Sequence, residues 1–205
     1  SLYDWALRTV FRVGALLSRL PDAIVINSCA GLAHHREYGW ATARMTVIPN
    51  GFDLERFRRD PAAGRRMRER WGVPAEALVV GLVARLDPIK DHATFLAAAA
   101  ALMPRQPSFY FVCIGDGPDE YAHALRHQAE ALGLGARLVW VGNCQEMTAA
   151  YNAIDIACLT SIGEGLPNVV GEAMSCEVPC VVSDVGDCSA LVGDTGAVVP
   201  AQSPR

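Results

Sequence analysis

At 205 residues, 51% of them hydrophobic, the chain can form one full domain plus part of another around a sizeable core. Its formal net charge of −4 argues against a general nucleic-acid binder. No signal peptide is visible and no apolar run is long enough to cross a bilayer. Leu2 to Leu20 places Trp5, Ala6, Val10, Val13, Leu16 and Leu17 at helical spacing, with Arg8, Arg12 and Arg19 between them. Such a helix could lie on a membrane; packing on a sheet of its own domain is the stronger reading. Ala23–Asn27 reads as a strand, Cys29–Tyr38 as a short helix and Thr46–Ile48 as another strand.

Seven of the seventeen arginines fall between Arg56 and Arg70, beside Glu55, Asp60 and Glu69. A basic face for anionic lipid or phosphate is one reading of this segment; a solvated linker helix is the favoured one. From Pro49 onwards strands and helices alternate. Leu78–Ala84, Phe109–Ile114, Arg137–Val141, Asp155–Leu159, Pro179–Ser183 and Gly196–Val199 read as strands. About Asp91–Met103, Asp119–Leu132, Met147–Asn152, Pro167–Cys176 and Cys188–Val192 read as helices. Strands apolar on both faces, alternating with helices, imply an α/β fold: a Rossmann-like parallel sheet with helices on both faces.

Three segments carry chemistry. Arg85 and Lys90 sit at the carboxyl end of a strand and at a helix entrance, with Asp91 as a plausible N-cap, which is where open α/β sheets bind ligands. Lys90 is the only lysine among eighteen cationic residues. In so arginine-biased a chain a compact ammonium suits a diphosphate in a tight pocket. In Gly115-Asp-Gly117 a strand runs into two glycines, and taken alone a plain turn is the better reading. In Glu164-Gly-Leu-Pro-Asn-Val-Val-Gly-Glu172 two carboxylates lie eight residues apart across a turn into a helix. Helical spacing would put them on one side, where carboxylates can accept from paired hydroxyls and the helix start can face an anion. The blander reading is two acids dressing a helix N-terminus.

The set Arg85, Lys90, Gly115-Asp-Gly117 and Glu164-x7-Glu172 resembles the donor-binding domain of the retaining glycosyltransferases of family 4, which have the GT-B fold. Val47-Ile-Pro-Asn-Gly-Phe-Asp53 resembles the hinge leading into that domain. The resemblance implies residues 1–48 as a remnant of the N-terminal acceptor-binding domain and 49–205 as the C-terminal donor domain. It also implies a longer protein at both ends, with this portion alone binding donor but transferring nothing. Arg85, Lys90 and Glu164 would be catalytic: the two cations meet charge on the leaving nucleoside diphosphate, and Glu164 serves the sugar. Gly115, Gly142, Asn143, Gly165, Leu166, Asn168 and Glu172 would line the substrate, Glu172 on the ribose. Gly165-Leu166-Pro167 departs from the Gly-Phe-Gly of many members, and Pro167, expected at the first helical position, offers no N–H.

No cofactor or metal is implied. His123 and His127 have i, i+4 spacing but no third ligand nearby, so a surface helix face is the better reading. The seven cysteines include no C-x-x-C pair and read as reduced and structural, which fits a cytoplasmic protein. Partners implied are a nucleotide-sugar and a sugar or lipid-linked acceptor in polysaccharide, lipopolysaccharide or glycolipid synthesis. A peripheral seat on the cytoplasmic face of the inner membrane is open to the longer protein. A nucleotide-sugar epimerase or phosphorylase on the same architecture, or a non-enzymatic nucleotide-sugar binding module, remain as alternatives.

Overall fold

The structure, a computed structural model, describes residues 2–204. Two units divide at Gly51 and Phe52, three residues beyond the boundary expected from the sequence. The first holds helix α1 (Leu2–Leu17), strand β1 (Ile24–Ile26), helix α2 (Cys29–Glu37) and strand β2 (Met45–Val47), with β1 and β2 paired in parallel. Along α1, Phe11 and Gly14 face α2 and Trp40: Phe11 lies 5.5 Å from the His34 ring, and a β-carbon on Gly14 would strike the Trp40 ring. The stripe Trp5, Val10, Val13, Leu16 and Leu17 is exposed, so the expected packing of that face on a sheet does not occur among the described residues.

The second unit builds α3 (Pro61–Trp71), β3 (Leu78–Val83), α4 (His92–Leu102), β4 (Phe109–Ile114), α5 (Asp119–Ala131) and β5 (Leu138–Gly142). It continues with α6 (Met147–Asn152), β6 (Ile156–Leu159), α7 (Asn168–Ser175), β7 (Cys180–Ser183), α8 (Cys188–Val192) and β8 (Ala197–Val199). All six strands are parallel, in the order β5-β4-β3-β6-β7-β8. The chain thus starts at the middle of the sheet, winds outward to β5, then returns to β6 beside β3 and winds the other way. That reversal opens a crevice at the carboxyl ends of β3 and β6, the switch point where doubly wound sheets take their ligands.

Alternate side chains feed two cores, as the two-residue period of a strand requires. Val80, Leu82, Phe111 and Cys113 pack under α4 and α5 with Phe95, Leu96, Ala122 and Leu125. Val79, Val112, Ile114, Ala157 and Leu159 pack under α6, α7 and α8 with Tyr151, Val170, Ala173 and Cys188. Cys113, Cys176, Cys180 and Cys188 are buried, and all seven cysteines are free thiols. Burial raises the pKa of Cys158 to about 12 and of Cys176, Cys180 and Cys188 to about 11, so these sulfurs remain protonated core atoms.

The arginine-rich segment has a solvated face, as expected, since Arg56, Arg58, Arg59, Arg65, Arg66 and Arg70 are exposed, but the other face of its helix α3 is packed rather than a free linker. Asp60 caps α3 by accepting from the Ala63 amide at 2.9 Å, and Gly64 lies so close to α6 that a β-carbon there would strike the Asn152 carbonyl. Arg68 donates to the Ala153 carbonyl (2.9 Å) and the Ala77 carbonyl (3.1 Å), and pairs with Asp155 at 2.8 Å. Density of arginine hid a packed helix whose one critical guanidinium ties three backbone segments together.

Candidate active site at the sheet switch point

Three loops meet at the crevice. The loop after β3 leaves Ala84 with Arg85 on the surface, dips through buried Leu86 and closes in a short 3₁₀ turn, Pro88–Lys90. Asp87 opens that turn, its carboxylate accepting from the Ile89 amide at 3.0 Å. Asp91 caps α4 as the sequence predicts, accepting from the Thr94 amide at 3.1 Å and the Thr94 hydroxyl at 2.6 Å. It does so with φ of 45°, a left-handed backbone that a non-glycine residue adopts at some cost and that clusters at functional sites.

The loop after β6 is clipped onto this turn. Thr160 Oγ1 donates to the carbonyls of Lys90 (3.1 Å) and Asp91 (2.9 Å), and the Ile162 amide donates to the Ile89 carbonyl at 2.8 Å. The backbone clasp brings the two charged side chains together. Lys90 Nζ donates to Glu164 Oε1 at 2.6 Å, and buried Ser161 donates its hydroxyl to the same oxygen at 2.6 Å. Ser161 is itself anchored from the next strand, since Ser183 Oγ donates to its carbonyl. The Lys90 and Glu164 side chains are 20% and 10% exposed, so Lys90 is a largely covered cation at the carboxyl end of the sheet. Arg85, 77% exposed and 3.5 Å from Asp87, is the free arm at the rim.

The third loop, after β4, explains its glycines. Gly115 has φ of 137°, its amide donates to the Gly142 carbonyl at 2.9 Å, and a β-carbon on it would strike the Ala84 carbonyl. A β-carbon on Gly117 would likewise meet the Leu86 carbonyl. Both glycines let the β4 loop lie against the β3 loop, so their requirement is backbone packing beneath the site. Gly142 has φ of 71° and Asn143 is exposed, at the carboxyl end of the edge strand β5.

The two glutamates are not aligned in the way their spacing suggested. Residues 164–167 are not helical, α7 begins at Asn168 with Pro167 at its N-cap, and Glu172 is only the fifth helical residue. Helical periodicity therefore does not align Glu164 with Glu172. Each is held separately: Glu164 by Lys90 and Ser161, Glu172 by Tyr151, whose hydroxyl donates to Oε2 at 2.7 Å. Gly165 and Leu166 are half-buried in the turn, and Asn168 is exposed at the first turn of α7, which no side chain caps. The Gly165 carbonyl accepts from the Asp187 amide at 2.9 Å. Gly186, with φ of 57°, lets that neighbouring loop press on the Glu164 and Gly165 carbonyls.

The family model for group 1 glycosyl transferases matches residues 77–205, well over half of the chain. The chain belongs to the group 1 glycosyltransferases. Among curated relatives of this family, the D-inositol 3-phosphate glycosyltransferase of Corynebacterium glutamicum is 31% identical over 196 residues, covering 90% of this chain and 46% of that protein. The Escherichia coli UDP-Gal:alpha-D-GlcNAc-diphosphoundecaprenol alpha-1,3-galactosyltransferase is 32% identical over 152 residues, covering 73% of this chain and 39% of that one. The solved structure of Anabaena HepE in complex with UDP and glucose superposes with a TM-score of 0.88 at 28% identity, over 96% of this chain and 54% of that one. The fold is accordingly the carboxyl-terminal half of GT-B, and the chain spans about half the length of the relatives it matches.

Sequence reasoning named Lys90, Arg85 and Glu164 as candidates but not the residues that hold them in place. Thr160, Ser161 and Ser183 are small polar residues in apolar runs, and only their contacts disclose them. His92, like the other histidines, was given no catalytic role from the sequence, and its burial was not foreseen. It is fully buried at the start of α4, and neither ring nitrogen meets a partner. Burial lowers its pKa from 6.5 to about 4, against the opposing pull of Asp91 and Asp87, while Lys90 adds to the lowering. With the folded pKa below the unfolded one, the stability this neutral ring provides is complete above about pH 6.5. It is lost as pH falls toward 4, by about 3 kcal/mol in all. Urea unfolding at stepped pH should show that acid slope in the native glycosyltransferase and lack this part of it in His92→Leu.

Proposed function

We propose that the chain supplies the donor half of a retaining glycosyltransferase, binding a nucleoside diphosphate sugar in the crevice between β3 and β6. The observation that carries this reading is the Lys90–Glu164 pair, bound at 2.6 Å and steadied by Ser161 at the switch point. It sets a cation for phosphate beside a carboxylate for sugar hydroxyls, and the UDP and glucose bound by the Anabaena protein match that chemistry.

In this reading Lys90 turns its remaining N–H donors to the diphosphate while Glu164 keeps the ammonium in place. Arg85 swings in from the rim to meet the phosphates. As the bond to the anomeric carbon lengthens, negative charge grows on the leaving diphosphate, and the Lys90 ammonium, already held by Glu164, stabilises it without reorganising. A metal ion has no part in this scheme. Glu164 presents its second oxygen to sugar hydroxyls, or to positive charge at the anomeric carbon, and retention follows from attack on the face the leaving group vacates. Glu172 takes the ribose; Gly115, Gly142 and Asn143 border the base, and Gly165, Leu166 and Asn168 the sugar and phosphates. The acceptor, a sugar or lipid-linked sugar in cytoplasmic polysaccharide or glycolipid assembly, is read by the rest of the protein.

Titration calorimetry with UDP-glucose, UDP, GDP and ADP tests the reading. Saturable binding of one nucleoside diphosphate, abolished by swapping in the nucleoside alone, is expected. Absence of binding across the panel would refute it.

A further inference from the structure

Tyr151 lies on α6, fully buried, with its ring 6.0 Å from Phe57 at an interplanar angle of 71°. A phenol in such a place needs a partner, and it has one: its hydroxyl donates to Glu172 Oε2 at 2.7 Å. Burial, then this hydrogen bond, push the phenol pKa far above its ordinary value, so the group is a donor at every working pH. The half-buried Glu172 is held through Oε2, and no hydrogen bond or ion pair engages Oε1 among the described residues. The neighbouring Gly171 is roofed by Phe52, whose ring a β-carbon there would strike, so the backbone bearing the carboxylate is pinned from above. A carboxylate bound at one oxygen cannot rotate freely. It keeps Oε1, and one lone pair of Oε2, in a fixed plane.

We propose that Tyr151 is a positioning residue that fixes the Glu172 carboxylate as a gauge for the ribose diol, selecting ribonucleotides over 2′-deoxyribonucleotides. This rests on the donor-site reading above. A vicinal diol presents two donors side by side and needs two acceptor sites held at matching spacing. A freely turning carboxylate offers them only part of the time, whereas one held by a permanent phenol donor is preorganised. A site built around a hydroxyl also rejects the analogue lacking it, because its buried acceptor is then left unpaired.

The test is calorimetry with UDP, GDP and ADP, each beside its 2′-deoxy counterpart, on the native chain, Tyr151→Phe and Phe57→Leu. The native chain should favour the ribonucleotide by at least about tenfold. Tyr151→Phe, which removes one oxygen and keeps the ring, should shrink that preference to about twofold while deoxynucleotide affinity is almost unchanged. Phe57→Leu disturbs the ring without touching the hydroxyl, so it should lower the melting temperature and leave the preference intact. Glu172→Gln reaches the same pair from the half-buried side, and its preference should fall as far even if Tyr151→Phe does not fold. Equal binding of ribo- and deoxynucleotides by the native chain would overturn the gauge and leave the donor site standing. So would a Tyr151→Phe variant that weakens both nucleotides alike or keeps the native preference. Failure of all six nucleotides to bind would remove the donor site and the gauge together.

Discussion

Lys90→Ala should weaken nucleoside diphosphate binding by about tenfold to a hundredfold, the worth of one charge-assisted hydrogen bond in a partly desolvated site. It should also destabilise the fold, which a lysine at a loop rim would not. Lys90 is 20% exposed and Glu164 10%, so truncating the lysine leaves a nearly buried carboxylate with only the Ser161 hydroxyl for company. Breaking a fully buried pair from one side costs about 3–5 kcal/mol; this pair at the crevice edge should cost about 1–3 kcal/mol. Lys90→Met combined with Glu164→Gln separates the two effects. With no charge stranded, the double variant should recover most of the lost melting temperature and none of the lost affinity. Unchanged diphosphate affinity in Lys90→Ala would remove the ammonium from the site. Arg85→Ala, by contrast, should leave the melting temperature alone, since that side chain is 77% exposed and its ion pair with Asp87 is long, at 3.5 Å.

The contrast between those two cations shows where the sequence is informative. Composition singled out Lys90 because it stands alone against seventeen arginines; nothing in composition says that it is largely covered or that Glu164 is its partner across 74 residues. Apolar runs and capping residues located the strands and the start of α4, because a short continuous apolar run and an Asp at a helix entrance are local physics. Errors came where an argument extended a local rule beyond its element. Helical spacing was applied from Glu164 to Glu172 although Pro167 keeps the first four residues out of the helix. Charge density in 56–70 rightly implied solvation for six arginines, which are exposed, but extending it to the seventh missed Arg68, which spends its guanidinium on two carbonyls and Asp155. Tyr151 was invisible for the opposite reason: a tyrosine in an apolar helix is ordinary core, and its use depends on a contact with a residue in another element.

Gly115→Ala should be strongly damaging for a single added methyl group. Its φ of 137° lies outside what an L side chain tolerates, and the added carbon would collide with the Ala84 carbonyl, a backbone atom that cannot swing aside. Relief requires the β3 and β4 loops to separate. That strains the Gly115 amide bond to the Gly142 carbonyl (2.9 Å) and the Leu86 amide bond to the Asp116 carbonyl (2.9 Å). Strain plus overpacking should cost about 2–4 kcal/mol. Gly133→Ala provides the control: φ there is 71°, but nothing lies within 4 Å of the new carbon, so only the conformational cost of about 1 kcal/mol remains. Because the displaced backbone at Ala84 carries Arg85 and leads to Lys90, Gly115→Ala should also lose diphosphate affinity at temperatures where it stays folded. Chemical denaturation and calorimetry on the two variants should therefore diverge in both readouts. Equal destabilisation by the two alanines would show that the loops are not pressed together at Gly115.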